Sequence, residues 1–376
     1  MLALLFWLSL FFIFYGYFGY PLALKALSLF RARPVRQGDI TPSVSLIITA
    51  HNEEARIEAK LQNTFLLVYP ADRLEVIVAS DCSTDRTDDI VRAHANRGVR
   101  LVRAAERRGK EYAQQCAVES ASGEILVFSD VATILEPNGI AQIVRNFNDP
   151  SVGCVSSVDR FIDGAGHASG EGTYVRYEMA LRNLEVRVHS LVGLSGSFFA
   201  ARHTVCQPWT PDLQSDFSVL LNSIRQGMRG VADPAAVGIY QNIADERREF
   251  QRKVRTIVRG IAVLMKNLSL LHPGRYGLFA WQLFSHKLCR WLVPFFLIAA
   301  AAANLFLLAD GFTYRLAFAG QVLFYWMAWE GGRNANAPAI ARIPSYFVMA
   351  NVAVLTAWYR YFFAGGAPIT WEPSKR

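Results

Sequence analysis

Zinc-binding and disulfide patterns are missing from this chain. Its five cysteines, Cys82, Cys116, Cys154, Cys206 and Cys289, form no C-x-x-C pair, and none of the seven histidines stands at zinc-like spacing from them. A zinc site is therefore not expected. The thiols are expected to be reduced, which places the central domain in the cytosol. Charge is thin: Asp, Glu, Lys and Arg make up 19% of the residues, against about 25% in ordinary soluble domains. No basic stretch precedes the first apolar run, and the run is too long and too aromatic for a cleaved signal peptide. No internal repeat or low-complexity linker divides the middle of the chain.

Apolar residues are what the chain has in excess, 52% of 376, concentrated at its two ends. That length suits one large domain plus membrane segments, or two ordinary domains. In residues 2–30, LALLFWLSLFFIFYGYFGYPLALKALSLF, the first part is long enough to cross a hydrocarbon core, which takes about 20 residues. Arg31, Arg33 and Arg36 follow at once, so that side is expected to be cytoplasmic. Residues 291–309 read as a second crossing and 316–330 as a shorter third. Residues 343–363 are apolar but carry Asn351 and Arg360, and both flanks are basic. This segment is expected to lie in the interface or re-enter rather than cross. Gly277–Lys287 reads as an interfacial helix. The expected division is a transmembrane helix at 1–30, a cytosolic domain at 31–262, interfacial helices at 263–290, transmembrane or interfacial helices at 291–364 and a cytosolic tail at 365–376. The net charge of +8 suits phosphorylated ligands, anionic lipid and nucleic acid alike. The membrane segments favour the first two, and no nucleic-acid partner is expected.

From Ser43 the chain alternates short Val/Ile-rich runs with helical spacing. SVSLIITA (43–50), LEVIVAS (74–80), Val99–Arg103 and EILVFSD (124–130) read as strands; Glu53–Leu66, Asp85–Ala95 and 109–121 read as helices. This alternation predicts an α/β domain with a mostly parallel sheet covered on both faces. Ligands bind such sheets beyond the carboxyl ends of the strands, so the polar residues there are the candidates. After the first strand stands His51-Asn52-Glu53-Glu54, which also reads as a helix cap. After the second stands Asp81-Cys82-Ser83-Thr84-Asp85-Arg86-Thr87, richer in polar groups than a cap needs. After the fourth comes Ser129-Asp130, a carboxylate placed to hold a divalent cation beside phosphates.

Taken together, SLIITAHNEEARIEAKLQNTFLLVYPADRLEVIVASDCSTDRTDDIV, GKEYAQQCAVESASGEILVFSD, GLSGSFFAARH, QSDFSVLLNSIRQGMRGVADPAA and SHKLCRWLVPF, in that order, resemble the family-2 glycosyltransferases. These are inverting enzymes with a Rossmann-like nucleotide-sugar fold of the GT-A type. The resemblance covers roughly residues 43–300. The apolar ends make it most similar to the polysaccharide-synthase-like members, such as cellulose, hyaluronan and chitin synthases. It implies a nucleotide-sugar donor, most simply a UDP-sugar, a glycan or lipid-linked acceptor, and a Mg²⁺ or Mn²⁺ cofactor. It further implies a place at the cytosolic face of the cytoplasmic membrane, alongside membrane lipid and other envelope-polysaccharide proteins.

By the same resemblance, Asn52 and Glu53 line the nucleotide pocket, Asp81 holds the uracil or ribose, and Lys110 lies near the base or diphosphate. Ser129 joins the donor site, Asp130 binds the metal, and Asp216 is the general base that takes the acceptor proton. Gly196, in the turn Gly193–Ser197, belongs to the acceptor pocket. Glu178, on an amphipathic helix over 171–188 with Tyr174, Tyr177, Leu181 and Leu184 inward, approaches sugar or acceptor. An inverting displacement does need a base on the acceptor side and a cation for the departing diphosphate.

The chain departs from the family pattern in three places. Ala132 stands where a second acid or Asn is common, so the cation depends more on Asp130, diphosphate and water. The acidic pair at the base is reduced to Ser215-Asp216. The Q-x-x-R-W element is not in its usual place. In that region Arg248, Arg252, Arg255 and Arg259 share one helix face, and Phe250, Val254, Ile257 and Ile261 lie about 200° away. The expectation is an apolar face on the membrane-proximal helices and a basic face, with Arg252 and Arg255, toward the diphosphate, since guanidinium suits phosphate. Trp371, in the tail, is expected to anchor at the interface or fold back on the site. Alternatives to a polysaccharide-extending enzyme are a single-addition glycolipid transferase and a non-catalytic nucleotide-sugar-binding subunit. A transporter fits poorly, since the spans show no broken helices carrying inward charge.

Overall fold

The apolar run at the start of the chain forms one helix, Leu2–Phe30 (α1), with a turn of π-helix at Tyr15–Gly19. Trp7, Leu8, Phe11, Phe14 and Phe18 are exposed along it, a surface suited to lipid rather than water. The structure is a computed structural model that describes residues 1–162, 173–241, 246–334 and 338–365. The chain divides into two units: one holds the sheet, residues Leu27–Asp245 with Gly274–Phe279, and the other is built of helices.

The sheet unit begins with Val44–Ala50 (β1), buried at every position, as a central parallel strand with both faces covered must be. Then come Ile57–Phe65 (α2), Leu74–Ser80 (β2), Thr87–Ala93 (α3), Val99–Arg103 (β3), Lys110–Ser120 (α4) and Ile125–Asp130 (β4). Next are Ile134–Leu135 (β5), Gly139–Val144 (α5), Val152–Ile162 (β6), Thr173–Val188 (α6), Phe198–Arg202 (β7), Ser215–Arg225 (α7) and Arg229–Gln241 (β8). The strand order is β3-β2-β1-β4-β7-β6-β8-β5. Strands β1 to β4 pair in parallel, as expected. The other half mixes directions, and three of the sheet's seven pairings are antiparallel: β7 is antiparallel to both β4 and β6, β8 is parallel to β6, and β5 is antiparallel to β8.

The reversed strand matters for function. Because β7 runs against β4, its first residue, Phe198, pairs with Ser129 at the far end of β4. The turn before β7 is thus delivered to the carboxyl ends of the parallel strands, where α/β sheets bind ligands. Beneath it the core is Leu46, Ile48, Val78, Val127, Val155 and Phe198 with their neighbours.

On the same unit the segment after α1 is bound by side chains far away in sequence. Arg229, buried, donates from Nη1 to the carbonyl of Arg33 (2.8 Å) and from Nη2 to that of Pro34 (3.0 Å) and to Asp149 (3.2 Å). Gln37 donates to Asp233, which also pairs with Arg145. A buried guanidinium is tolerable only with such partners.

The helical unit contains Glu246–Lys266 (α8), Pro273–Phe306 (α9) apart from its residues Gly274–Phe279, where Gly277 has φ of +51°, Phe312–Arg333 (α10) and Ala339–Phe363 (α11). Within it, Phe12 stacks on Phe296, Tyr15 Oη lies 2.7 Å from Ser285 Oγ, and Trp358 Nε1 donates to the Trp291 carbonyl. Among the described residues, three helices are long and apolar enough to cross a membrane: Leu2–Phe30, Pro273–Phe306 and Ile340–Phe363. The 343–363 segment belongs to one of these three. The 316–330 segment, expected as a short crossing, does not, and its helix α10 also carries Arg315, Glu330 and Arg333. The stretch Gly277–Lys287, expected as an interfacial helix, is continuous with the long apolar helix that follows it. Residues 246–262, expected in the domain 31–262, group with the helical unit, because α8 packs on α11.

Candidate active site

Three strand ends and one turn build the site. The loops after β1 and β2 are tied together by hydrogen bonds. Thr84 N–H donates to Asn52 Oδ1 (2.8 Å), Asn52 N–H to Ser83 Oγ (3.2 Å), Glu53 N–H to Thr87 Oγ1 (2.8 Å) and Glu54 N–H to Asp85 Oδ2 (3.0 Å). Asn52 and Cys82 adopt φ of +51° and +52°, a conformation that non-glycine residues keep only when their surroundings impose it. Asn52 therefore does not cap a helix. Helix α2 starts five residues later, with Arg56 as a cap residue that makes no side-chain cap bond.

Glu53 is buried and pairs with Arg56 at 2.7 Å. Burial pushes its carboxyl up; Arg56 opposes this, and the charges of Asp130 and Asp85 add to it. Asp81, fully buried, accepts from the backbone N–H of Arg108 (3.1 Å) and of Gly109 (3.0 and 3.1 Å). Gly109 has φ of +101°, a backbone that favours glycine, and it starts α4. Asp81 thus fixes the start of the helix whose first residue is Lys110.

Lys110 Nζ lies 2.5 Å from Asp130 Oδ1 and donates to the carbonyl of Gly196 at 3.0 Å. Asp130 N–H donates to the carbonyl of Ser197. Asp216, buried in the first turn of α7, accepts from Phe217 N–H (2.8 Å) and Gln214 Nε2 (3.1 Å). A Cβ at position 196 would come within 2.8 Å of Asp216 Oδ2, so glycine there lets the carboxylate reach the turn. Asp130, Lys110, Gly196 and Asp216 therefore stand in one connected group.

Ser129, expected at the donor, is buried, and its hydroxyl accepts from Lys60 Nζ at 2.7 Å. Lys60 also donates to the carbonyl of Thr133 (2.5 Å), and burial pulls its ammonium down to about 7, with Asp130 opposing. Lys60 belongs to none of the strand-end motifs. Its signal was present: Ile57, Lys60, Leu61 and Thr64 form the buried stripe of α2 at i, i+3, i+4, i+7, and a lysine on such a stripe needs polar partners. Glu178 is half-buried on α6, where Leu181 faces inward. Arg252 and Arg255 lie on α8 in the helical unit, with Val254, Val258, Ile261, Val263 and Leu264 among its buried residues. Arg252 forms a two-pronged pair with Glu249 at 2.8 and 2.9 Å. Trp371 lies outside the described residues, as does the side chain of Tyr174.

A divalent cation fits this end of the sheet in one way. Among the described residues no three of His, Cys, Asp and Glu converge, and position 132 is Ala. Asp130 would be the protein carboxylate, with diphosphate oxygens and water completing the shell, as magnesium commonly accepts.

Residues 45–207 match the family model described as Glycosyl transferase family 2. A probable glycosyltransferase of Bacillus subtilis (strain 168), YdaM, is 33% identical over 130 residues, 33% of this chain and 31% of the relative. The poly-beta-1,6-N-acetyl-D-glucosamine synthase of Staphylococcus aureus (strain COL) is 27% identical over 124 residues, 32% of this chain and 30% of the relative. The matched part thus spans under a third of these relatives' length. Among solved structures, a mannosyltransferase from Pyrobaculum calidifontis, in complex with GDP-Man and Mn²⁺, superposes with a TM-score of 0.76. It is 22% identical, and the match covers 97% of this chain and 99% of that one. The two share the GT-A fold.

Proposed function

We propose, on the premise that residues 45–207 are a glycosyl transferase family 2 domain, that the chain transfers a sugar from a nucleoside diphosphate sugar to a glycan or lipid-linked acceptor with inversion. The observation that carries this reading is the connected group Asp130–Lys110–Gly196–Asp216, which joins a leaving-group anchor to a base through one turn. Asn52, Glu53 and Asp81 belong to the nucleoside end of the donor. Asp130, with a Mg²⁺ or Mn²⁺ ion, and Lys110 belong to its diphosphate. The ion supplies neutralisation of the charge that develops on the departing diphosphate.

Asp216 takes the proton of the acceptor hydroxyl. That oxygen bonds to the anomeric carbon from the face opposite the diphosphate, the carbon–oxygen bond to the diphosphate breaks, and the nucleoside diphosphate leaves with the bonding pair. Lys110 is well suited to follow the charge, because its ammonium is already held beside Asp130. Arg252 and Arg255 join the reading as phosphate-binding groups on guanidinium chemistry alone, and Glu178 as a contact to sugar or acceptor. The membrane-spanning candidates support a membrane-embedded enzyme working at the cytosolic face, in synthesis of an envelope polysaccharide or glycolipid.

The test is nucleotide release by the protein in lipid, across a panel of UDP- and GDP-sugars with Mg²⁺ or Mn²⁺. Turnover that disappears in Asp216→Asn while nucleotide binding persists supports the assignment. Binding of nucleotide without turnover by any donor and acceptor supports a regulatory binding subunit instead.

A further inference from the structure

We propose that Asp159, on β6, is a positioning residue that sets the turn on which Lys110 and Asp216 meet. Strand β6 holds that turn at three places. Ser195 N–H donates to Ser156 Oγ at 2.7 Å. Ser157 Oγ donates to the carbonyl of Phe198 at 2.6 Å. Asp159 Oδ1 accepts from both Ser195 Oγ (2.6 Å) and Ser197 Oγ (2.7 Å), and the two hydroxyl oxygens are themselves 2.9 Å apart. Arg182, from α6, donates to the same Ser156 Oγ at 2.7 Å and so steadies the first of these ties.

Gly196 sits between the two serines that Asp159 holds. Its carbonyl takes the Lys110 ammonium and its Cα faces the Asp216 carboxylate. Hydrogen bonds to a carboxylate are short and strong, and a glycine peptide is otherwise free to rotate. Two such bonds on the flanking side chains fix the peptide at the point where the diphosphate anchor and the base must keep their spacing. The inference rests on the proposed transferase reading and adds to it a residue that touches neither donor nor acceptor.

The experiment compares Asp159→Ala, Asp159→Asn and the double variant Ser195→Ala/Ser197→Ala with wild type, for turnover and, separately, for affinity of UDP and GDP with Mn²⁺. Asp159→Ala should lower kcat by roughly tenfold to a hundredfold, the scale of a misplaced catalytic group, with donor KM and nucleotide affinity unchanged. Asp159→Asn keeps an acceptor oxygen and should recover most of the rate. The serine pair should reproduce the loss, and adding Asp159→Ala to it should cost little more, because both remove the same bonds. If Asp159→Ala fails to fold, the serine pair carries the test. A kcat within twofold of wild type, a fall in nucleotide affinity that matches the fall in kcat, or an Asn variant as poor as Ala would overturn the proposal. A wild-type protein inactive with every donor would instead count against the transferase reading itself.

Discussion

The ammonium of Lys110 lies 2.5 Å from Oδ1 of Asp130, on the carboxylate that the proposed reaction gives to a divalent cation. Two positive charges cannot share one carboxylate oxygen cheaply. Lys110 must turn toward the diphosphate before Asp130 takes up the ion, so cation binding should depend on nucleotide. Wild type should bind Mn²⁺ weakly alone and at least about tenfold more tightly with UDP or GDP. Lys110→Met should raise the affinity without nucleotide by a similar factor, and Asp130→Asn should abolish that gain. Free Mn²⁺ measured by electron paramagnetic resonance reads all three. Equal affinity with and without nucleotide would show that Lys110 does not compete.

Gly196→Ala separates activity from stability. The added Cβ meets the end of the Asp216 side chain at 2.8 Å rather than backbone, so the carboxylate moves and the fold does not. We expect kcat to fall by about tenfold or more, as misplacement of a base implies, with the melting temperature nearly unchanged. A large loss of melting temperature with kcat retained in the folded fraction would contradict the close approach.

Lys60→Met tests the support beneath Asp130. Methionine has a similar length and removes the bonds to Ser129 Oγ and the Thr133 carbonyl, the two points that fasten the turn after β4. A buried carbonyl left without its donor costs on the order of 1–3 kcal/mol, so the variant should melt lower and turn over more slowly. Lys60→Arg should not rescue it, since a larger fork does not fit a site closed on all sides. An unaffected Met variant would remove Lys60 from the site.

Much of this arrangement was legible in the chain itself. The strands at 44–50, 74–80, 99–103 and 125–130 follow from their Val/Ile runs, and Asp81 and Asp130 from their places at strand ends. Local pattern could not show what depends on strand direction. That β7 opposes β4 is a tertiary fact, and it alone brings Gly196 to Asp130. Asp159 sits in VSSVDRFI with no spacing signal, because its partners come from residues 195 and 197, more than 30 positions on. Lys60 could have been noticed on the buried stripe of α2, but periodicity marks only the face, not the partner. The apolar stripe of α8 did announce its packing on the membrane-proximal helices; only the boundary at 262 was misplaced, because an amphipathic helix does not say which unit it groups with.

The clamp on the segment after α1 should be sensitive to acid. Burial alone would raise the Asp149 carboxyl, but bonds from the Ser151 hydroxyl and N–H, the Arg36 N–H and Arg229 outweigh it and hold it at about 2. In the unfolded chain the same group titrates near its ordinary value of about 3.9. A carboxyl depressed on folding stabilises the native state fully above the unfolded value and loses that contribution as pH falls through the folded one. Asp149 should therefore support stability at neutral pH and cease to do so between about pH 4 and pH 2. Asp149→Asn removes this dependence and leaves Arg229 buried beside a neutral amide. The melting temperature of the variant should lie below that of wild type at neutral pH, and the gap should narrow as pH drops through that window. A gap that stays constant down to about pH 2, where the native carboxylate itself takes a proton, would mean that the charge of Asp149 is not what holds Arg229 and the segment from Arg33 to Arg36.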